Sequence, residues 1–244
     1  MLEELIVRLR AATSVFVLTG SGISAESGLP TFRGAGGLWR SHRAQELASP
    51  EGFARDPILV WTWYNERRAA HRQAQPSPAH LALARIEPLF DDFTLATQNV
   101  DSLHLRAGSR NVIELHGNLR EARCDLCGTV RRLEDFPDGA FPIDEIEHEC
   151  GGRFRPQVVW FGEALPQAAW QRAAEAAARA QVKLVVGTSG IVQPAASLAT
   201  SYGNAWTAEI NPEETAISAL VDASLRARAS DVLPEVADCL TGAA

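Results

Sequence analysis

Four sets of residues in this 244-residue chain carry groups that can move a proton, hold an anion or bind a soft metal. Gln98-Asn99-Val100-Asp101 and His116 supply amides, a carboxylate and an imidazole. Imidazole titrates near neutrality, and the other groups can orient it or a hydroxyl, so the set reads as a proton-transfer site as well as structural polar residues. Gly20-Ser21-Gly22 and Gly28 follow an apolar run. Glycines there let a backbone approach a pyrophosphate, with helix N-terminal N–H groups as donors. The usual dinucleotide fingerprint has its third glycine three residues after the second; Gly28 comes six after Gly22, so the fingerprint does not match. Cys124-Asp125-Leu126-Cys127, followed by Cys150, offers thiolates to a metal. Tyr64 and Arg67, three residues apart on one helical face, can form a phenol–guanidinium fork for a carboxylate, although residue types alone favour a half-buried tyrosine beside a solvated arginine.

These groups need a scaffold, and the pattern predicts one. Leu2–Ala12 reads as a helix, and VFVLTG (15–20) as a buried β-branched strand ending in glycine. Helices follow at 57–73 and 77–88, the second with Ser77 as a plausible cap. FTLATQN (93–99) and NVIELHG (111–117) are strands. Residues 118–160 hold three of the four cysteines and little periodicity, which reads as a small inserted lobe. Beyond it come a helix at 166–180, a strand from Val182, a helix at 194–203, a strand at 205–212 and a closing helix at 230–240. Strands alternating with helices indicate an α/β, doubly wound, Rossmann-like parallel sheet. The expected division is residues 1–117 and 161–244 for that sheet, with 118–160 as a zinc-ribbon-like insert. Ligands of such sheets sit at the carboxyl ends of strands, where TGSG, GTSG and EINP place polar groups.

A formal charge of -7 and a pI near 5.4 give no electrostatic case for nucleic acid or anionic membrane as the main partner. No apolar run approaches the ~18 residues of a membrane span, and the N-terminus lacks the basic and apolar regions of a signal peptide. The cytoplasm is the expected location and a monomer the expected state. Cys124, Cys127, Cys150 and Cys239 are too few for a disulfide scaffold, and a close pair in a reducing compartment reads as a metal or redox site.

GSGISAESGLPTFRGAGGLW (20–39), TQNVDSLHLRAG and ELHGNL, in that order and spacing, closely resemble the sirtuin family. The resemblance runs from Leu18 to about Pro234 and implies an NAD-consuming protein deacylase. In it, the loop holding Gly20, Ser21, Gly22, Ala25, Glu26, Thr31, Phe32, Arg33 and Trp39 closes over NAD, with Phe32 shielding the reacting ribose carbon and Arg33 at phosphate. Gly187-Thr188-Ser189 resembles the segment at cofactor phosphate and ribose, Asn211-Pro212-Glu213 that at the adenosine ribose, and Ala229 the backbone against adenine. The implied mechanism has the acyl-lysine oxygen attack the ribose carbon, releasing nicotinamide and leaving an alkylimidate. His116 would be the general base on a ribose hydroxyl, while Gln98, Asn99 and Asp101 would serve the cofactor, the latter two holding ribose and nicotinamide-pocket waters. Val158-Val159-Trp160-Phe161-Gly162-Glu163 resembles the segment onto which a substrate peptide adds as a strand.

YNERR resembles the branch that removes succinyl, malonyl and glutaryl groups. There Tyr64 and Arg67 would bind the acyl carboxylate, and Ala48, sixteen positions before the tyrosine, would widen the pocket. Succinyl is therefore expected above acetyl. The family's two CxxC pairs bind one structural zinc, but here Glu147 stands three before Cys150 where a cysteine is usual. Zinc on Cys124, Cys127 and Cys150 is still expected, with Glu147, His148, Glu149 or water completing it, and Cys239 too remote. The competing readings are an NAD-dependent ADP-ribosyltransferase and a catalytically silent NAD or ADP-ribose sensor.

Overall fold

The computed structural model describes residues 1–31, 42–136 and 139–242, with side chains of 42–44 left out. Strand β1 (Ser14–Thr19) runs through the middle of the larger sheet, and Val15 to Thr19 are all buried. Only a strand covered on both faces can be so continuously apolar. It pairs in parallel with β2 (Asp92–Thr97) on one side and β7 (Val182–Val186) on the other. β3 (Val112–Glu114) extends the sheet beyond β2, and β8 (Trp206–Ile210) and β9 (Ala223–Leu225) extend it beyond β7. The order β3-β2-β1-β7-β8-β9 reverses direction between β1 and β7, which opens a crevice at their carboxyl ends.

Helices cover both faces. On one, α1 (Leu2–Ala11), α5 (Pro78–Ile86) and α9 (Ala229–Thr241) pack Leu5, Leu83 and Val236 against Val17, Leu95 and Leu184. On the other, α7 (Gln167–Arg179) lays Ala173, Ala176 and Ala177 against Phe16, Leu18 and Val185. The alanine-rich face lets helix and sheet approach closely, which explains the run of small residues at 173–180.

A second sheet is antiparallel: β5 (Val130–Arg132), β4 (Gly117–Cys124) and β6 (Phe154–Val158), with β4 central. Its core is shared with helices inserted between β1 and β2, namely α2 (His42–Leu47), α3 (Pro50–Arg55) and α4 (Pro57–Gln73). Trp61 of α4 stacks on Phe141 at 4.1 Å and donates its indole N–H to the Phe154 carbonyl at 2.8 Å. Phe53, Val60 and Tyr64 join the same cluster as Leu119, Leu133 and Trp160. Residues 47–64 thus pack into the same core as the antiparallel sheet.

Two sequence expectations shrink. The helix at 194–203 is only α8 (Ser197–Thr200); Pro194 has no N–H to donate, residues 194–199 close successive three-residue turns, and Gly203 turns at φ +66°. The strand at 111–117 stops at Glu114, after which His116 leaves the sheet. β9, three residues long at an edge, had no legible signal.

Candidate active site

The crevice at the β1–β7 switch point is closed by glycines that no other residue can replace. A Cβ on Gly22 would lie 2.7 Å from the Cα of Gly187, and one on Gly20 2.8 Å from the Gly187 oxygen. The Gly22 N–H donates to that oxygen at 2.8 Å, so the two strand-end loops touch backbone to backbone. Gly20 leads into a tight turn over Ser21–Ser27, which ends at Gly28 with φ +79°. The late glycine therefore ends the turn rather than completing a dinucleotide fingerprint.

The next strand ends are tied to this crevice by side-chain amides. Gln98 Nε2 donates to Thr188 Oγ1 at 3.0 Å, and Asn99 Nδ2 donates to the Gly20 carbonyl at 3.0 Å and to Ser24 Oγ at 3.2 Å. Ser24 Oγ in turn donates to Asp101 Oδ2 at 2.7 Å, and the Leu103 N–H donates to Asp101 Oδ1 at 2.9 Å. Burial raises the Asp101 carboxyl from its ordinary value, against the opposing pull of those donors. Asn211 Nδ2 donates to the Thr188 carbonyl at 3.0 Å, joining the β8 end to the β7 end.

These loops line a cavity of about 820 Å³ between the large sheet and the small lobe. That volume suits an extended organic molecule with part of a second one. The expected residues Gly20, Ser21, Gly22, Ala25, Glu26, Thr31, Gln98 and Asn99 line it, as do Gly187, Thr188, Ser189, Asn211, Pro212, Glu213 and Ala229. His116, Ala48, Tyr64, Arg67 and the segment Val158 to Glu163 line the same cavity. Asp101 is not among them: its carboxylate accepts from Ser24 Oγ and from the N–H of Leu103, the first residue of α6 (Leu103–Arg106). Phe32, Arg33 and Trp39 lie outside the described residues. Arg228, Ile191 to Pro194 and Glu214 to Ala216 also line the cavity and were not foreseen. The first precedes α9, and the others continue strand-end tails already read as polar, which was the available signal.

His116 sits where the two lobes meet, its carbonyl accepting the Val159 N–H at 2.9 Å. Its Nδ1 is 2.9 Å from the Gln98 carbonyl, and a carbonyl only accepts, so Nδ1 carries the proton. In the neutral ring Nε2 is then a free base. Burial holds the imidazole below its ordinary pKa, with the Gln98 carbonyl pulling the other way. The ring is neutral at pH 7, as a proton acceptor must be.

At the lobe end, α4 carries Tyr64 and Arg67 to the cavity wall. The Tyr64 hydroxyl accepts the indole N–H of Trp160 at 2.9 Å. Burial raises the Tyr64 phenol above its ordinary value, opposed by the nearby Arg67 charge and the Trp160 hydrogen bond. The Arg67 guanidinium lies 4.7 Å over the Trp63 ring, and burial lowers its pKa. Ala48 places only a methyl group on this wall, and its carbonyl accepts the Phe161 N–H at 3.2 Å.

Away from the cavity, Cys124, Cys127, His148 and Cys150 point their ligand atoms at one another, all within 4.8 Å. His148 Nδ1 is 3.0 Å from Cys150 Sγ and 3.6 Å from Cys127 Sγ, and Cys124 Sγ is 3.5 Å from Cys150 Sγ. Three thiolates and an imidazole suit tetrahedral zinc. Of the alternatives for the fourth ligand, Glu147 instead faces Arg153 across a β-bridge and an exposed ion pair of 3.7 Å. The metal would tie the β4–β5 turn to the approach to β6, a structural role remote from His116.

Comparisons with known proteins agree with this geometry. The Sir2 family matches residues 20–194, more than half of the chain. The chain is 48% identical over 235 residues to an NAD-dependent protein deacylase 2 of Pyrobaculum aerophilum, covering 94% of this chain and 92% of that one. It is 50% identical over 231 residues to an NAD-dependent protein deacylase of Thermus thermophilus, covering 92% and 89%. Among solved structures, a Sir2 homologue in complex with NAD superposes with a TM-score of 0.88 at 45% identity, covering 99% and 94%. The motifs at the strand ends, the cavity they line and these matches have one source: the chain belongs to the Sir2 family.

Proposed function

We propose that this chain, an NAD-dependent protein deacylase, removes acidic acyl groups from lysine side chains, succinyl together with malonyl and glutaryl, and acetyl more slowly. The observation that carries the acyl preference is the common cavity: Tyr64, Arg67 and Ala48 line the same space as His116. A carboxylate entering that end would meet a hydroxyl donor and a guanidinium, the pairing that gives short, strong hydrogen bonds. An acetyl group offers nothing to either.

NAD, when bound, supplies a ribose carbon that loses nicotinamide and accepts the acyl oxygen. The chain's own part is to bind, orient and deprotonate. Gly20 and Gly22 give backbone access at the crevice, where Thr188, Ser189 and Asn211 supply polar contacts for phosphate and ribose. Asn99 is fixed by Gly20 and Ser24 so that it can hold a ribose hydroxyl, and Asp101 holds Ser24 in turn. His116 accepts the hydroxyl proton on Nε2, because Nδ1 is committed to Gln98. The acylated segment of a substrate protein pairs main chain to main chain beside Val159 to Glu163. The enzyme acts as a monomer in the cytoplasm; among the described residues no helix is long and apolar enough to cross a membrane.

The test is kcat/KM on one peptide carrying either succinyl-lysine or acetyl-lysine, with and without NAD. NAD-dependent loss of succinyl with acetyl slower supports the reading. Acetyl removal alone rejects the acidic preference, and turnover of neither peptide with NAD still bound points to transferase or sensor behaviour.

A further inference from the structure

Tyr64 can donate to a carboxylate only if its hydroxyl proton points into the cavity. The phenol oxygen accepts from Trp160 Nε1 at 2.9 Å, and an indole N–H is donor only. That bond occupies the oxygen as acceptor and leaves the hydroxyl proton free to point elsewhere. The side of Tyr64 not packed in the lobe faces the cavity. The orientation of Trp160 therefore sets the polarity of Tyr64.

Trp160 is held in three ways. The Arg155 guanidinium carbon lies 3.4 Å from the centroid of its ring, a stacked cation–π contact. Glu163 Oε2 accepts the Trp160 backbone N–H at 2.8 Å. Arg155 and Glu163 are joined by a bidentate pair at 2.5 and 2.9 Å, and Arg155 also donates to the Val158 carbonyl at 3.0 Å. The Arg155 side chain is only 6% exposed, so its charge depends on that partner. Glu163 lines the cavity, yet its carboxylate is engaged with Arg155 and the Trp160 N–H.

We infer that Arg155 and Glu163 are specificity-positioning residues: they clamp Trp160 so that its indole makes Tyr64 a fixed donor toward the carboxylate of an acidic acyl group. This deepens the acidic-acyl reading and rests on it for the ligand, but the clamp itself is a property of the free protein. Arg155 touches neither acyl group nor cofactor and acts through the indole. Lysine at this position would keep the charge but lose the flat stacking surface and the two-point pairing.

The experiment is a double-mutant cycle read on the succinyl-to-acetyl ratio of kcat/KM. Trp160→Phe keeps an aromatic ring for Arg155 and removes the indole N–H together with the five-membered ring, so Arg155→Lys, which leaves Trp160 whole, is read beside it. Each variant should lower the ratio about tenfold, the size of one hydrogen bond to a charged acceptor network. In a Tyr64→Phe background neither should lower it further, because the phenol through which they act is gone. Equal losses in both backgrounds overturn the inference. A second arm needs no acyl substrate. With fluorotyrosine at both tyrosines, the 19F signal that Tyr64→Phe removes should titrate at higher pH in Arg155→Lys, as in Trp160→Phe, than in the parent, since the indole bond that Arg155 holds in place favours the phenolate. An unmoved titration overturns the clamp. If the parent enzyme shows no succinyl preference, the acyl reading fails, while this arm still decides the clamp.

Discussion

His116 Nδ1 lies 2.9 Å from the main-chain oxygen of Gln98, a residue eighteen positions earlier that directly follows strand β2. The contact fixes the tautomer and leaves Nε2 basic at the cavity wall, and burial depresses the ring's pKa. The neutral, active form therefore persists below the ordinary value of about 6.5. The acid limb of single-turnover deacylation should have its midpoint below that value, with activity lost as pH falls. A limb at or above 6.5 would assign it to another group. His116→Tyr should abolish turnover while the thermal transition persists; an active variant removes His116 from the mechanism.

Arg67→Met keeps much of the apolar stem beside Trp63 and removes the charge. Loss of a charged partner for a bound carboxylate costs about 1.5–3 kcal/mol, or roughly 10- to 100-fold in kcat/KM. That loss should fall on succinyl-lysine, with acetyl-lysine changed much less. Comparable losses on both would demote the pair to a packing role.

The Cys124, Cys127, His148 and Cys150 ligand atoms converge, whereas Glu147 faces Arg153. Protein purified as His148→Ala should carry far less zinc by elemental analysis than the parent, and Glu147→Ala the same amount. Full zinc in His148→Ala would place water or another side chain in the fourth position. Metal removal should lower the melting temperature, since the ion crosslinks the small lobe.

His80 and His104 are completely or almost completely buried, with rings 4.6 Å apart. Burial lowers His80 to about 4 and His104 well below its ordinary value. In the unfolded chain both protonate near 6.5, so the unfolded state binds more protons as pH falls from there toward 4. Stability is unaffected above that window and declines within it, by about 2 kcal/mol at pH 5 for His80, with His104 acting in the same direction. The urea midpoint should fall between pH 7 and 5, and fall less in His80→Gln. A midpoint flat over that range would reject the assignment.

Much of the scaffold was legible because its strands are buried on both faces. Val15 to Leu18 had to be continuously apolar, and the helix read at 57–73 coincides with α4. Short elements were not legible. Three residues of β9 or four of α8 carry too little pattern to stand out from turns.

The sequence by itself determined the family, the strand-end motifs, and the residue types of the acyl end and metal lobe, because each is a local run with its own spacing. Only the tertiary structure decided which groups meet. It tied the Asp101 carboxylate to Ser24 and to the start of α6. It brought His148 rather than Glu147 to the thiols, because the bridge to Arg153 directs Glu147 away. It also joined α4 to β6, so that Tyr64 meets Trp160 ninety-six residues away. No spacing encodes that contact; it exists because two apolar faces, one from each segment, are buried only against each other.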